Sequence, residues 1–267
     1  MKTWRQINAE RVRYINYGTA LTAHTLRSIR EKYAASIREL GDAAQALNQL
    51  SEAEVQEQMQ SLFIDIYQVT GVAFARREAE QLQQKGMKMK QDFEVLESQW
   101  MRHMRDFVIG RCGLKIQQST RTLFADIERV TRQVIQAGID EGWGPAKVAQ
   151  EIMKQQAGID RFRAMRIART EVVGASNEGS YTGAGAFSDK TRKIWVAALM
   201  DTRDSHEAMH ETRAEYSEAF RVPRETGGSD EMQYPGDPSG SAENVINCRC
   251  GITYEPVNNY IDELLNE

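Results

Sequence analysis

The chain reads as an α+β protein, with an elongated α-helical N-terminal region followed by a small mixed α+β C-terminal domain. Three observations predict it. The first 140 of its 267 residues contain no proline and repeat their apolar residues at helical intervals. That period disappears beyond Lys190, where Lys193-Ile194-Trp195-Val196-Ala197-Ala198 is β-branched and aromatic. The segment after it is polar and irregular, and Tyr234-Pro235-Gly236-Asp237-Pro238 spells consecutive tight turns.

Four helical stripes fill the first half. Leu26, Ile29, Tyr33, Ile37 and Leu40 form one, and Val55, Met59, Leu62, Ile66, Val69 and Ala73 form the next. A third passes through Phe93, Leu96, Trp100, Met104 and Phe107, and a fourth through Ile116, Leu123, Ile127, Val130 and Val134. Breaks are expected at Gly41-Asp42, at Gly86 and between Gly110 and Gly113. Stripes so close to the heptad period predict helix-on-helix packing, in an elongated bundle or a self-associating stalk.

At Gly142-Trp143-Gly144-Pro145 the texture changes. Pro145 suits the first position of a short helix carrying Val148, Ala149 and Ile152, which Gly158 would close. A second helix from Asp160 bears Arg161, Arg163, Arg166 and Arg169, and the run Gly179 to Gly185 would end it loosely. On that helix Ala164, Ala168, Glu171 and Ala175 share a stripe, so another backbone can approach closely and Glu171 is expected to pair with an arginine. Gly251-Ile252-Thr253-Tyr254 reads as a second strand, and the fifty residues between the strands read as a long loop. Three parts follow: a helical arm over 1–140, a compact domain over 141–256, and a tail over 257–267 whose Tyr260, Ile261, Leu264 and Leu265 suit a short amphipathic helix.

Composition bounds the function. A mean hydropathy of −0.57 and 41% hydrophobic residues suit a soluble chain of one or two domains with no membrane segment. The N-terminus lacks the apolar core of a secretory signal, so synthesis in a cytosol is expected. The net charge of −4 hides a division. Residues 201–267 hold fifteen acidic and five basic side chains, and residues 1–200 hold 29 basic and 23 acidic ones. A basic body joined to an acidic end predicts two different partner surfaces.

The chemistry-bearing residues cluster late. Two of three cysteines and two of four histidines fall within His206 to Cys250. His206-Glu207-Ala208-Met209-His210 spells the H-E-x-x-H of zinc peptidases, but polar neighbours Ser205, Glu211, Thr212 and Arg213 replace the apolar flanks of a buried zincin helix. Cys248, Cys250 and His206, with His210 as a further candidate, are the side chains that would hold a structural zinc ion. Alternatively both cysteines are small buried hydrophobes beside a strand, with Arg249 salt-bridged to Asp201 or Glu171. Cys248 and Cys250 make a poor disulfide with each other at one residue's separation. No phosphate-binding glycine loop is present, so an ATP-driven motor is not indicated.

Taken in order, these landmarks resemble the phage head-morphogenesis family, the Mu F-like minor head proteins. The resemblance runs from about residue 141 to 256: the glycine-turn helix to Ile152, Arg166-Ile167-Ala168-Arg169-Thr170-Glu171, Asn177, Lys193-x-Trp195, Asp201-x-Arg203-x-x-His206, Phe220, Pro235-Gly236-Asp237-Pro238, Glu243, and Ile246-Asn247-Cys248-Arg249-Cys250. Relatives usually carry Asp-Gly four residues after the histidine, where this chain has His210-Glu211. The peptidase spelling therefore looks like a local substitution.

The resemblance implies a structural, non-catalytic protein of the virion. It would sit at the head and portal vertex, be assembled in the host cytoplasm, and assist procapsid assembly and DNA packaging or delivery. The implied partners are the portal protein, a scaffold or major capsid protein, and non-specifically the packaged DNA. Within the domain, Glu171, Trp195, Asp201, Arg203, His206, Asn247, Cys248, Arg249 and Cys250 are expected to form the closing motif, with Asp201, Arg203 and Glu171 as buried charge pairs. The alternative is a zinc-dependent hydrolase or other effector delivered with the genome.

Overall fold

The computed structural model describes residues 3–89, 91–200 and 202–257. Up to residue 184 the described residues form six helices: α1 (Trp4–Leu40), α2 (Ala43–Gln49), α3 (Glu52–Gln84), α4 (Phe93–Arg111), α5 (Gly113–Glu141) and α6 (Pro145–Ala184). Their ends follow local chemistry. Thr3 and Gln6 make a capping box at the start of α1, and Gly41 ends that helix in the left-handed conformation at φ 69°. Asp42 then accepts from the backbone N–H groups of Ala44 and Gln45 to open α2, and Ser51 caps α3. Among the described residues no helix is long and apolar enough to cross a membrane.

The stripes become the core. Leu26, Ile29, Tyr33 and Ile37 of α1 meet Met59, Leu62 and Ile66 of α3 and Ile116, Leu123, Ile127 and Val130 of α5 in one continuous cluster. Val69 departs from the expected stripe: it is exposed, while Phe63, Tyr67, Thr70 and Phe74 are buried. A straight helix drifts from a seven-residue spacing, and α3 is contacted on several sides, so its buried face is wider than one stripe.

α6 is the central element and corrects two expectations. Gly158 does not close a first helix, because one helix of 40 residues runs from Pro145 to Ala184. The helix does end in the glycine run, at Ala184 with Gly185 as its cap, but the run is tightly packed rather than loose. A Cβ on Gly179 would lie 2.1 Å from the carbonyl oxygen of Gly71, and one on Gly183 would lie 2.1 Å from that of Ala75. The glycines are where α3 and α6 touch backbone to backbone. On another part of α6, Gly18 of α1 rests against Ala168 and Val172. Helices of the first half thus supply the walls against which α6 is buried.

After a 3₁₀ segment (Gly185–Lys190) the chain enters β1 (Thr191–Val196), followed by the single-turn helix α7 (Asp204–Glu207) and strands β2 (Arg213–Glu215), β3 (Phe220–Pro223) and β4 (Ser229–Met232). A single turn, α8 (Ala242–Val245), and β5 (Gly251–Pro256) complete it. β1 lies between β2 and β5, antiparallel to both, with Trp195 opposite Ile252; β3 and β4 form a separate hairpin. The fifty-residue loop is therefore a meander of strands only three and four residues long. Such strands are too short to generate a readable alternation. The expected tail helix, with Tyr260, Ile261, Leu264 and Leu265, lies outside the described residues.

Candidate metal centre

The Cys-Arg-Cys segment is placed by a tight turn. Asn247 has φ 57°, the left-handed region that asparagine tolerates better than most residues, and its N–H donates to Thr170 Oγ1 of α6 at 3.1 Å. The chain then extends toward β5, and residues two apart in an extended segment share a face. Cys248 and Cys250 accordingly turn to the same side, both buried.

His206 meets them from α7. Its Nδ1 lies 3.6 Å from Cys248 Sγ and 3.6 Å from Cys250 Sγ, and the three ligand-capable atoms all fall within 4.8 Å of one another. The other ring nitrogen, Nε2, is 3.1 Å from Asn244 Oδ1 of α8. Asn244 donates through Nδ2 to Asp230 Oδ2 (2.9 Å) and to the Pro223 carbonyl (3.3 Å). Asp230 is held in turn by the N–H and hydroxyl of Ser241. Trp195 closes the side of the site, its ring edge-on to His206 and to Phe220 with centroids 5.5 Å away in each case.

Electrostatics separates the two thiols. The hydrogen bond from Cys248 is the largest influence holding Cys250 well below the usual thiol range, with further help from His206 and despite burial. The same hydrogen bond, reinforced by burial, pushes Cys248 up. Arg11 lies across the back of the segment. Its Nη1 donates to the carbonyls of Arg249 (3.2 Å) and Cys250 (3.1 Å), its Nε to Ser176 Oγ (2.7 Å), and its Nη2 to Asn177 Oδ1. Burial lowers Arg11 to about 10, which still leaves it charged at neutral pH. Trp4 Nε1 adds a bond to the Arg249 carbonyl at 3.0 Å.

Other residues of the expected closing motif sit elsewhere. Glu171 is buried on α6 but pairs with a lysine: Lys115 Nζ of α5 is 2.6 Å from its Oε2, and Tyr67 OH donates to the same oxygen at 3.4 Å. The arginines of its own helix do not reach it because Glu171 faces α3 and α5, whereas Arg169 turns outward onto Met165. Arg203 makes no ion pair with Glu171; its Nη2 donates to the Ile246 carbonyl at 2.6 Å. Asp201 lies outside the described residues. Arg249 contributes its carbonyl, and exposed Asn247 its backbone turn. The two histidines of H-E-x-x-H diverge. His210 Nδ1 accepts from the Ala197 N–H at 3.2 Å, and His210 is not in the group formed by His206 and the cysteines. α7 lasts only to Glu207, one turn short of stacking the two rings on one helix face.

Three contributors escape sequence reasoning. Arg11 and Asn244 lie far along the chain from the cysteines, and nothing in their surroundings marks them. Lys193, expected in a strand and as a landmark beside Trp195 but given no contact, is fully buried, donates to the Gln233 carbonyl at 3.1 Å and lies over the rings of Tyr181 and Phe220. Burial lowers its amino group to about 8. Asn177 is better signalled. It donates to the carbonyls of Pro235 (2.7 Å) and Cys250 (3.1 Å), so it ties two of the ordered landmarks to α6.

Comparison with known proteins adds one match. Residues 128–253 fit the family described as Phage Mu protein F like protein, a span that begins within α5 and ends in β5. No curated protein and no solved structure matches the chain. The matched span includes the His206, Cys248 and Cys250 group, Asn177 and Trp195. Over residues 128–253, a little under half of its length, the chain is similar to the phage Mu protein F like family.

Proposed function

We propose that this protein is a minor head component acting at the portal vertex, where it assists procapsid assembly and then DNA packaging or delivery. The family match over residues 128–253 carries this reading. In it, residues 1–140 supply the partner-gripping surface, residues 141–256 the head-morphogenesis domain and residues 257–267 a tail, with the portal protein as the principal partner and the scaffold or major capsid protein as neighbours. The role is structural, and the diverging rings of His206 and His210 offer no support to peptidase chemistry.

Two surface features accord with partner binding. A groove of about 430 Å³ between α5, α6 and α8 is lined by Leu114, Ile167 and Ile246 beside Lys115 and Arg166, and Leu114 is 82% exposed. Phe162, one turn before Arg166 on α6, is 75% exposed. The basic excess of residues 1–200 suits a position beside packaged DNA, through phosphate contacts without sequence preference.

Particles from a phage lacking this gene, complemented with the full chain, test the reading. The chain should be found in purified procapsids, cross-link to the portal protein and appear beside the portal ring in a reconstruction. Leu114→Glu with Phe162→Glu should abolish incorporation while the purified protein keeps its helical circular dichroism. Infectious particles that assemble normally without the chain would overturn it.

A further inference from the structure

We propose that His206, Cys248 and Cys250 bind one zinc ion, which fastens α7 to the Cys-Arg-Cys entry of β5. The proposal goes beyond the assembly role and does not depend on it. The imidazole has one nitrogen left for a ligand. Its Nε2 is committed to Asn244 Oδ1 at 3.1 Å, and Asn244 cannot reverse its amide without losing the bonds from Nδ2 to Asp230 and Pro223. Nε2 therefore carries the proton, and the Nδ1 lone pair faces both sulfurs.

The distances suit an ion between the three atoms. Zinc bonds of about 2.3 Å to thiolate and 2.0–2.1 Å to imidazole, at a tetrahedral angle, separate nitrogen from sulfur by about 3.6 Å. Both Nδ1 to Sγ distances are 3.6 Å. A hydrogen-bonded relay from Cys248 to Cys250 to Nδ1 would satisfy both thiols, but it requires only one sulfur near the ring nitrogen, whereas both lie at 3.6 Å. A disulfide is not the alternative, since cysteines separated by one residue seldom attain its geometry.

Donor chemistry and surroundings agree with that geometry. Two sulfurs and one imidazole select a thiophilic ion such as zinc over magnesium or calcium. The chain from His206 through Asn244 to Asp230, with Ser241 and Arg224 also on Asp230, is the outer support that fixes a ligating histidine's tautomer. The Arg11 guanidinium, held at the Cys250 carbonyl, places positive charge beside two sulfurs that become thiolates and release their protons to solvent on binding. Among the described residues the protein ligands number three, His206, Cys248 and Cys250. The site is closed off by Trp195 and Arg11, and each ligand is at most 2% exposed, which fits a structural rather than a substrate-binding ion.

The full-length protein tests this by two independent measurements. Elemental analysis of protein purified without chelator should find one zinc per chain. Cobalt(II) added to chelator-stripped protein should give the visible ligand-field bands of a tetrahedral site together with thiolate-to-cobalt charge transfer. Cys112→Ser should leave both signals intact, while Cys248→Ser and Cys250→Ser should each lose them. Asn244→Leu keeps the ligands and should weaken zinc binding about 10–100-fold. Folded wild-type protein with neither zinc nor a cobalt–thiolate band would overturn the proposal, as would undiminished cobalt binding by the Cys248→Ser, Cys250→Ser double variant. Stoichiometric copper in place of zinc would overturn the identity of the ion.

Discussion

Arg11 of α1 and Asn177 of α6, 166 residues apart, are hydrogen-bonded to each other and jointly hold the carbonyl of Cys250, so the first helix and the last strand close on the same point. Ile7 lies against Gly251 just beyond it, where an added Cβ would come within 2.9 Å of the isoleucine. The N-terminal helix is thereby part of the structure that positions the cysteines.

Arg11→Met should therefore cost about 3–5 kcal/mol in urea unfolding, because it strands buried carbonyls and removes a charged donor. Arg11→Lys should recover only part of this, since an ammonium cannot span the four acceptors that the planar guanidinium reaches. A loss below about 1 kcal/mol for Arg11→Met would contradict a closing role, given the 1–3 kcal/mol expected for even one stranded buried acceptor.

The helical glycines should respond in opposite directions. Gly179→Ala drives a methyl into the Gly71 carbonyl, a backbone atom that cannot swing aside, and should destabilise by about 3 kcal/mol. Gly158→Ala meets nothing within 4 Å and lies inside α6, so it should gain roughly 0.5–1 kcal/mol. Thermal melts of the two variants measure the contrast, and equal melting temperatures would refute the close approach of α3 and α6.

His103 of α4 lies 2.6 Å from buried Glu178 of α6, and that hydrogen bond raises its pKa above the ordinary 6.5. A histidine raised on folding stabilises the native state fully below its unfolded pKa, and this contribution disappears as pH rises through the folded value. Stability compared between His103→Gln and the parent should therefore differ most at acid pH and converge on the alkaline side. An NMR titration of His103 with a midpoint at or below 6.5 would remove the basis for this.

Chelation should lower the melting temperature if the proposed zinc is bound. At a hundredfold excess over Kd, a ligand specific for the native state adds about 2.7 kcal/mol, which corresponds to roughly 5–10 °C for a chain of this size. Cys248→Ser should melt at the chelated temperature and show no response to zinc.

Asn247 supplies a left-handed turn, so Asn247→Val should cost roughly 1–2 kcal/mol whereas Asn247→Gly should be nearly neutral. Differential scanning calorimetry distinguishes this backbone role from a side-chain role, in which both substitutions would be equally damaging.

What the sequence by itself determined is what depends on neighbours along the chain. Stripes through Leu26 to Ile37 and Ile116 to Val134, the cap at Asp42, the αL stop at Gly41 and the break into β1 are local, because periodicity and capping act over one or two turns. The ordered landmarks from Gly142 to Cys250 likewise carry the family resemblance in one dimension. Tertiary structure decided the rest. Gly158 and Gly179 were legible as glycines, but only the packing of α3 and α6 tells one that merely weakens a helix from one that permits contact. Glu171 required a cation, and the fold chose Lys115 over four nearer arginines because a helix face, not sequence distance, sets which charges meet. His206 was separated from His210 and joined to Cys248 and Cys250 for the same reason: α7 ends after one turn, and ligand groups form by where side chains point once the chain is folded.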